Sequence, residues 1–487
     1  MVFLGLFYHQ VHQETPKPHT FFTFFLRHPP RLILKYSHQV PVNLIEKKLH
    51  SPNPNVRERA ILLGLIVYPT TREVAEEHIA ELELLADTAG ADTVHRVIQA
   101  LARPDGASYV GKGKVEEVKA LIEEDESINL VIVDDDLSPV QLRNLERELE
   151  VKVVDRSGLI LDIFASRARS REARTQVELA QLLYLMPRLT RMWTHLSKQY
   201  GGIGTKGPGE TQIETDRRII KTRISHLREK LTKIETQRET QRKGRTEMFR
   251  VSLVGYTNAG KSTLMNELIG ETEVHAEDRL FATLDTTVRQ VELKPGRTIL
   301  LSDTVGFIRK LPSHLLAGFH STLAEAREAD LLLHVVDISS ASVLEQIAVV
   351  EETLKEIEAG ELPVLMVFNK IDLVEPTNDK LRALIDRYPD SVAISAATGL
   401  GVHALREKIA MRVEETYGER IVRIPISHWH HVAKLHEWIE PLEKMFDDES
   451  GYLHFRFSPK MGDYVEKTLA AAKAEVVEEM PEVSDVE

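Results

Sequence analysis

The sequence predicts an α/β multidomain fold: a domain built on a mostly parallel sheet, preceded by a small α/β domain and an antiparallel helical hairpin. Three observations predict it. Short apolar runs alternate with helically spaced segments over residues 57–165, and again from Phe249 to about Tyr417, the pattern of a parallel sheet covered by helices. Between these blocks Ile220, Ile224, Leu227, Leu231 and Ile234 recur at alternating spacings of four and three, which is a coiled-coil seam. A glycine-containing loop, Gly255-Tyr256-Thr257-Asn258-Ala259-Gly260-Lys261-Ser262, separates a strand-like run from a helix-like one.

A chain of 487 residues with 42% hydrophobic content has room for several domains and a sizeable core. Its net charge of -13 excludes a generic polyanion binder, so any nucleic-acid contact needs a local basic patch. The absence of cysteine excludes disulfides, thiolate zinc sites and a cysteine nucleophile. No apolar run is long enough to cross a membrane.

Residues 1–56 are read as an N-terminal extension, expected to be disordered; its aromatic run Phe21–Leu26 is too short to span a bilayer. In the small α/β domain, 57–165, strands are expected at Arg59–Leu65, Asn129–Asp134 and Val151–Asp155, and a helix at Val74–Gly90. Ser138-Pro139 starts another helix, Ser as its cap and Pro in its first turn. The acids Asp134-Asp135-Asp136 read as a strand-end turn. The hairpin, 166–247, has one helix from Thr175 and a second along the seam, with the glycine cluster Gly201–Gly209 at its tip. The main domain spans 248–417, a small C-terminal module 418–461 with a strand at Tyr452–Phe457, and an acidic tail 462–487.

Four motifs carry chemistry, in an order that fits one activity. In the phosphate loop, glycines let backbone amides converge on phosphate oxygens and the following helix adds its positive end. Lys261 is expected to reach the β and γ phosphates, and the Ser262 hydroxyl to bind Mg²⁺. Asp303-Thr304-Val305-Gly306 follows the strand Thr298–Leu301; Asp303 would hold Mg²⁺, through water or directly, and the Gly306 amide would sense the γ phosphate. Asn369-Lys370-Ile371-Asp372 ends another apolar strand, and the Asp372 carboxylate can accept from the ring N–H and exocyclic amine of guanine, a donor pair adenine lacks. Asn369 and Asp372 thus select GTP over ATP. The backbone of Ser395-Ala396-Ala397 would contact the guanine oxygen. Together these define a P-loop GTPase domain that binds GTP and GDP.

Between the first two motifs lies Leu280-Phe281-Ala282-Thr283-Leu284-Asp285-Thr286-Thr287, where a switch threonine must complete the Mg²⁺ shell. From spacing alone Thr283, Thr286 and Thr287 compete. Phe307 follows Gly306 where many GTPases carry a water-orienting glutamine. A phenyl ring cannot orient water, so no catalytic residue is assigned, and hydrolysis is expected to be slow alone and raised by a partner, a monovalent cation or another residue. Asn258 is a candidate ligand for K⁺.

From Pro187 to Arg250 there are 16 Lys and Arg against 7 Asp and Glu. On an acidic protein this marks an arm suited to RNA phosphates and stacking on bases. The candidate contacts are Arg188, Arg191, Trp193, Lys198, Gly202, Gly204 and Lys206.

Over roughly 57–460 the chain resembles the HflX family of translational GTPases. The resemblance rests on Met186–Leu189, Trp193–Leu196, Gly201–Glu210 and Glu214–Arg218, on Gly111–Lys114 and Val154-Asp155-Arg156, and on the phosphate loop with Phe281–Asp285. It implies that Thr283 is the Mg²⁺ ligand. It also implies a partner, the large ribosomal subunit and its rRNA, with the hairpin reaching RNA near the peptidyl-transferase centre and GTP binding driving the splitting of stalled or stress-damaged ribosomes. Family members are cytoplasmic, act largely as monomers off the ribosome, and are sometimes reported to hydrolyse ATP through the N-terminal region. A large-subunit assembly factor or RNA-remodelling GTPase is the alternative. Thr286 departs from the proline often found after the aspartate of the threonine motif.

Overall fold

The computed structural model describes residues 57–192, 208–243, 248–270, 280–281, 284, 286–294, 297–312, 320–375, 379–436 and 438–480. The extension 1–56 and the glycine-rich hairpin tip up to Gly207 lie outside these residues.

The first domain is a four-stranded sheet in the order β2-β1-β3-β4, parallel throughout. The strands are β1 (Glu58–Ile66), β2 (Ala91–Ala100), β3 (Leu130–Val133) and β4 (Lys152–Asp155). Residues 60–63 of β1 and all of β3 are buried, because helices cover both faces of a parallel sheet. Helix α1 (Arg72–Ala89) is capped by Thr71 and stops at Gly90, whose φ of 93° suits a residue without Cβ. Helix α2 (Lys112–Glu124) precedes β3. Helix α3 (Pro139–Leu149) begins as the sequence requires: Ser138 and Gln141 form a reciprocal capping box, with Pro139 in the first turn. Helix α4 (Arg156–Arg167) follows β4 directly, capped by Asp155, and its residues 156–161 are all buried. The edge strand β2 and helix α2 were not singled out from the sequence. In β2 only Ala91 and Val97 are buried, so no apolar run marks it.

Helices α5 (Arg171–Met192) and α6 (Pro208–Lys243) form the hairpin. Pro187 lies inside α5 without ending it. At 36 residues α6 is about 54 Å long. The expected seam packs: Ile220, Ile224 and Leu227 are buried against Leu179, with Leu182, Leu183, Met186 and Leu231 around them. Glu178 pairs with Arg223 at 2.7 Å, and Arg171 lies near Lys230. Rising numbers on α5 therefore meet falling ones on α6, the antiparallel arrangement.

The main sheet has six strands in the order β10-β9-β8-β5-β7-β6. These are β5 (Phe249–Gly255), β6 (Thr287–Lys294), β7 (Arg297–Asp303), β8 (Leu331–Asp337), β9 (Val364–Asn369) and β10 (Val392–Ala393). All pairings are parallel except β6 with β7. Helix α7 (Lys261–Ile269) follows the phosphate loop. Helices α8 (His320–Arg327), α9 (Val343–Glu356), α10 (Asp379–Arg387) and α11 (Val402–Glu415) cover the sheet. The apolar runs seen in the sequence are β8 and β9: six consecutive residues of β8 and five of β9 are buried.

The C-terminal module is an antiparallel sheet in the order β12-β13-β11-β14, made of β11 (Gly418–Pro425), β12 (Ile439–Phe446), β13 (Ser450–Phe457) and β14 (Glu475–Val477). Helix α12 (Gly462–Ala471) closes it, burying Val465 and Leu469. This corrects the tail boundary expected at 462. Glu475, Val476 and Val477 pair with Arg423, Val422 and Ile421, so the module runs past the acidic composition that suggested a tail. Backbone pairing does not require apolar side chains, and the acids of this segment face outward.

Candidate functional site

Strand β5 ends at Gly255, the first residue of the phosphate loop. Its φ is 151°, and a Cβ there would lie 2.2 Å from the Val335 carbonyl oxygen of the neighbouring strand. Gly260 has a φ of 93°, and its Cβ would lie 2.2 Å from Asn369 Nδ2. Both positions exclude any side chain. Asn258 supplies a third left-handed residue, with φ 61°, and its side chain is exposed. Gly260 caps α7 without any side-chain hydrogen bond, leaving the first helical N–H groups available to an anion.

Two polar side chains lie inside this loop. Lys261 is buried and its Nζ donates to the carbonyls of Gly255 at 3.1 Å and Tyr256 at 2.8 Å. Burial pushes its pKa down to about 8, with the Asp303 carboxylate acting against the shift. The Ser262 hydroxyl donates to Asp303 Oδ2 at 2.6 Å. A hydroxyl and a carboxylate this close are hard oxygen donors of the kind Mg²⁺ takes beside a nucleotide. Thr304 does not face the same space; its hydroxyl donates to the Leu253 carbonyl at 2.6 Å. The buried His334 is pushed down to about 3 by burial and by Lys261, and is neutral.

The base-reading motifs meet the phosphate loop through Asn369. Its Nδ2 donates to the Ala259 carbonyl at 2.8 Å, and its Oδ1 accepts from Ala396 N at 2.9 Å. Sequence reasoning had Asn369 select the base beside Asp372. In the structure the carboxamide is buried and occupied in tying two loops together, while Asp372 is exposed on a helical turn at Ile371–Leu373. Lys370, with φ 65°, pairs with Asp337 at 2.7 Å. Ser395 Oγ accepts from Thr398 N at 3.2 Å, which shapes the loop continuing into Ala397.

The loop after β7 is stitched to the phosphate loop. Thr257 N donates to the Phe307 carbonyl at 2.7 Å, and Phe307 N to the Gly255 carbonyl at 3.1 Å. A Cβ on Gly306 would lie 2.7 Å from Thr257 Cα, so this approach needs glycine. Phe307 is buried among Tyr256, Phe281 and Val305. Its side chain packs in the core while its backbone holds the phosphate loop. Phe281 N donates to Thr257 Oγ1 at 3.2 Å, and Leu284 is buried. Ala282, Thr283 and Asp285 lie outside the described residues.

One feature of the site escaped the sequence reading. Arg156, fully buried at the start of α4, donates Nε to the Arg309 carbonyl at 3.1 Å and Nη1 to Asp134 at 2.7 Å, and pairs with Glu81 through Nη2. Arg309 reaches Asp134 at 2.8 Å, and Lys310 reaches Asp135 at 3.0 Å. Tyr256 of the phosphate loop joins the cluster: its hydroxyl donates to Glu81 and accepts from Arg309 N at 2.9 Å. Burial alone would raise the Asp134 pKa, but Arg156, Arg309 and Lys310 bring it below the usual value. Burial opposes the Arg156 charge, and Glu81 and Asp134 overcome it. The Asp134-Asp135-Asp136 cluster is thus the acidic half of a joint between the two domains, not only a strand-end turn. Its signal in the sequence is Val154-Asp155-Arg156, where an arginine directly follows a strand-end aspartate.

Of the RNA-contact candidates, Arg188 donates to Asp155 at 2.7 Å and to the Leu137 carbonyl at 3.1 Å, and lies over the Tyr184 ring at 3.6 Å. Its guanidinium is spent anchoring the base of the arm. Arg191 lies on α5, but its side chain is outside the described residues, as are Trp193, Lys198, Gly202, Gly204 and Lys206.

Residues 76–165 match the family model of the GTP-binding GTPase N-terminal region, 167–245 that of the middle region, and 250–370 that of a 50S ribosome-binding GTPase. The GTPase HflX of Flavobacterium psychrophilum is 52% identical over 315 residues, 65% of this chain and 76% of that protein. The GTPase HflX of Escherichia coli is 42% identical over 396 residues, 81% of this chain and 92% of that one. Among solved structures, a GTP-binding protein from the archaeon Sulfolobus solfataricus in complex with GDP is 28% identical, covers 73% of this chain and 98% of its own, and superposes with a TM-score of 0.40.

Proposed function

The chain belongs to the HflX family of GTPases, and we propose that it binds the large ribosomal subunit and splits stalled or stress-damaged ribosomes under the control of GTP. It is a GTP hydrolase, converting GTP to GDP and phosphate on a P-loop domain. One observation supports the ribosomal reading most strongly: the domain that matches a 50S ribosome-binding GTPase is joined in this chain to a long basic arm. RNA phosphates are the natural partner of such an arm.

Ser262 and Asp303, with Thr283 from the switch segment, would hold Mg²⁺, which neutralises developing phosphate charge when bound. Lys261 holds the phosphates, the Gly306 amide reads the γ phosphate and Asp372 reads the guanine. Asn258 would ligate K⁺, and Phe307 leaves water positioning to another group. Equal hydrolysis in potassium and sodium buffers would remove the cation from this account. Among the described residues no helix is long and apolar enough to cross a membrane; the proposed setting is the cytoplasm, with the protein monomeric off the ribosome.

The test is sedimentation of intact ribosomes with the protein and a non-hydrolysable GTP analogue, beside GTPase assays with and without large subunits. Separation into subunits and stimulated hydrolysis are expected. Stimulation without separation would favour an assembly or RNA-remodelling role, and no stimulation would sink the ribosomal partner.

A further inference from the structure

We infer that Asp155 and Arg156 are a pair of positioning residues that carry the nucleotide state of the loop after Gly306 to the hairpin arm. Adjacent in sequence, they face two different partners. Arg156 is fully buried and holds the main-chain carbonyl of Arg309, three residues beyond Gly306, at 3.1 Å. Its other two nitrogens are fixed by Asp134 and Glu81, so the planar fork has one orientation. Asp155, also fully buried, holds the arm: Oδ1 accepts from the Tyr184 hydroxyl at 2.6 Å and Oδ2 from Arg188 at 2.7 Å. The same carboxylate caps α4 through Gly158 N at 2.9 Å. A Cβ on Gly158 would lie 2.9 Å from the Tyr184 hydroxyl, so this close approach depends on glycine.

The two residues move as one body because they open a single helix whose first turn is buried on all sides. That helix touches the nucleotide site a second time: the Phe164 and Phe281 rings meet edge to face with centroids 4.6 Å apart. The loop after Gly306 and the segment holding Phe281 therefore bear on α4, and the arm's Tyr184 and Arg188 are held at its first turn. Packed elements of this kind shift between discrete arrangements instead of deforming smoothly. A change at Arg309 would displace Arg156, and through the backbone Asp155, Tyr184 and Arg188.

The inference rests on the GTPase acting as a switch and needs no ribosome. Amide hydrogen exchange tests it on the full chain, comparing GDP with a non-hydrolysable GTP analogue. In the wild type, nucleotide-dependent differences are expected both at residues 303–312 and at 176–190. In Arg156→Gln the difference at 303–312 should remain and that at 176–190 should vanish. Should that variant not fold, Tyr184→Phe combined with Arg188→Gln, which leaves the buried cluster alone, decides with the same readout. A purely structural role would alter exchange equally with both nucleotides. No difference at 303–312 in the wild type removes the switch and the relay together. A difference there that never reaches 176–190, or one that survives at 176–190 in every folded variant, overturns the relay alone.

Discussion

Replacing Asn369 by alanine separates the assembly of the nucleotide site from recognition of the base. Asn369 is 2% exposed, and its two partners, Ala259 and Ala396, are 1% and 3% exposed. The variant leaves the Ala259 carbonyl and the Ala396 N–H without their bonds of 2.8 and 2.9 Å. An unsatisfied buried group costs about 1–3 kcal/mol. Water entering the vacated space recovers part of this, giving a loss of roughly 2–4 kcal/mol. In a domain of this size that lowers Tm by roughly 5–15 °C. The same loops must come together around nucleotide, so GTP and GDP affinity should fall alike while the preference for guanine persists through Asp372. Thermal unfolding of the nucleotide-free protein and titration with fluorescent GDP and GTP check both parts. A Tm within about 2 °C of the parent, together with lost base selectivity, would put Asn369 on the base and refute the bridging role.

Asp372→Asn should leave Tm unchanged but turn preference from guanosine to xanthosine nucleotides, since xanthine offers a carbonyl where guanine offers an amine; undiminished GTP selectivity would acquit Asp372. Nucleotide affinity should depend on Lys261. Phosphate favours its charged form, so binding takes up a proton wherever the empty site's lysine, with pKa about 8, is already neutral. Affinity for GDP is then greatest below about pH 8 and falls as pH rises through that value, by at most about one decade per pH unit; a flat profile measured by calorimetry would show that Lys261 is not desolvated in the empty site. Gly260→Ala must hold φ 93° with a Cβ 2.2 Å from Asn369 Nδ2. The backbone alone costs about 1–2 kcal/mol, so GDP binding should weaken by about five- to thirtyfold, and near-parental affinity would show that the loop can relax.

Much of the nucleotide site was legible because its parts are local. A phosphate loop, a strand-end aspartate and a strand-end Asn-Lys-x-Asp each carry their geometry in a few consecutive residues. Glycines at 255 and 260 stand where a Cβ would strike a neighbour. The β8 and β9 strands announced themselves as apolar runs because both faces of their sheet are covered. The hairpin seam was legible for a similar reason: its period belongs to one helix.

Features built across the chain were not. Strand β2 carries few buried residues and no apolar run, and β14 is placed by backbone pairing with β11. Arg188 looked like a surface cation on a basic arm, yet it pairs with Asp155, more than thirty residues earlier. Asp134, Arg156 and Arg309 lie on three separate segments, and each alone reads as an ordinary charge. A sequence shows that a charge exists; whether it meets solvent or an opposite charge in a dry interior depends on which segments tertiary packing brings together. The sequence alone therefore determined a P-loop GTPase domain and the strand and helix that flank its phosphate loop. Tertiary structure decided that Asn369 joins loops, that Phe307 packs in the core, and that an arginine at the start of α4 ties the site to the domain bearing the arm.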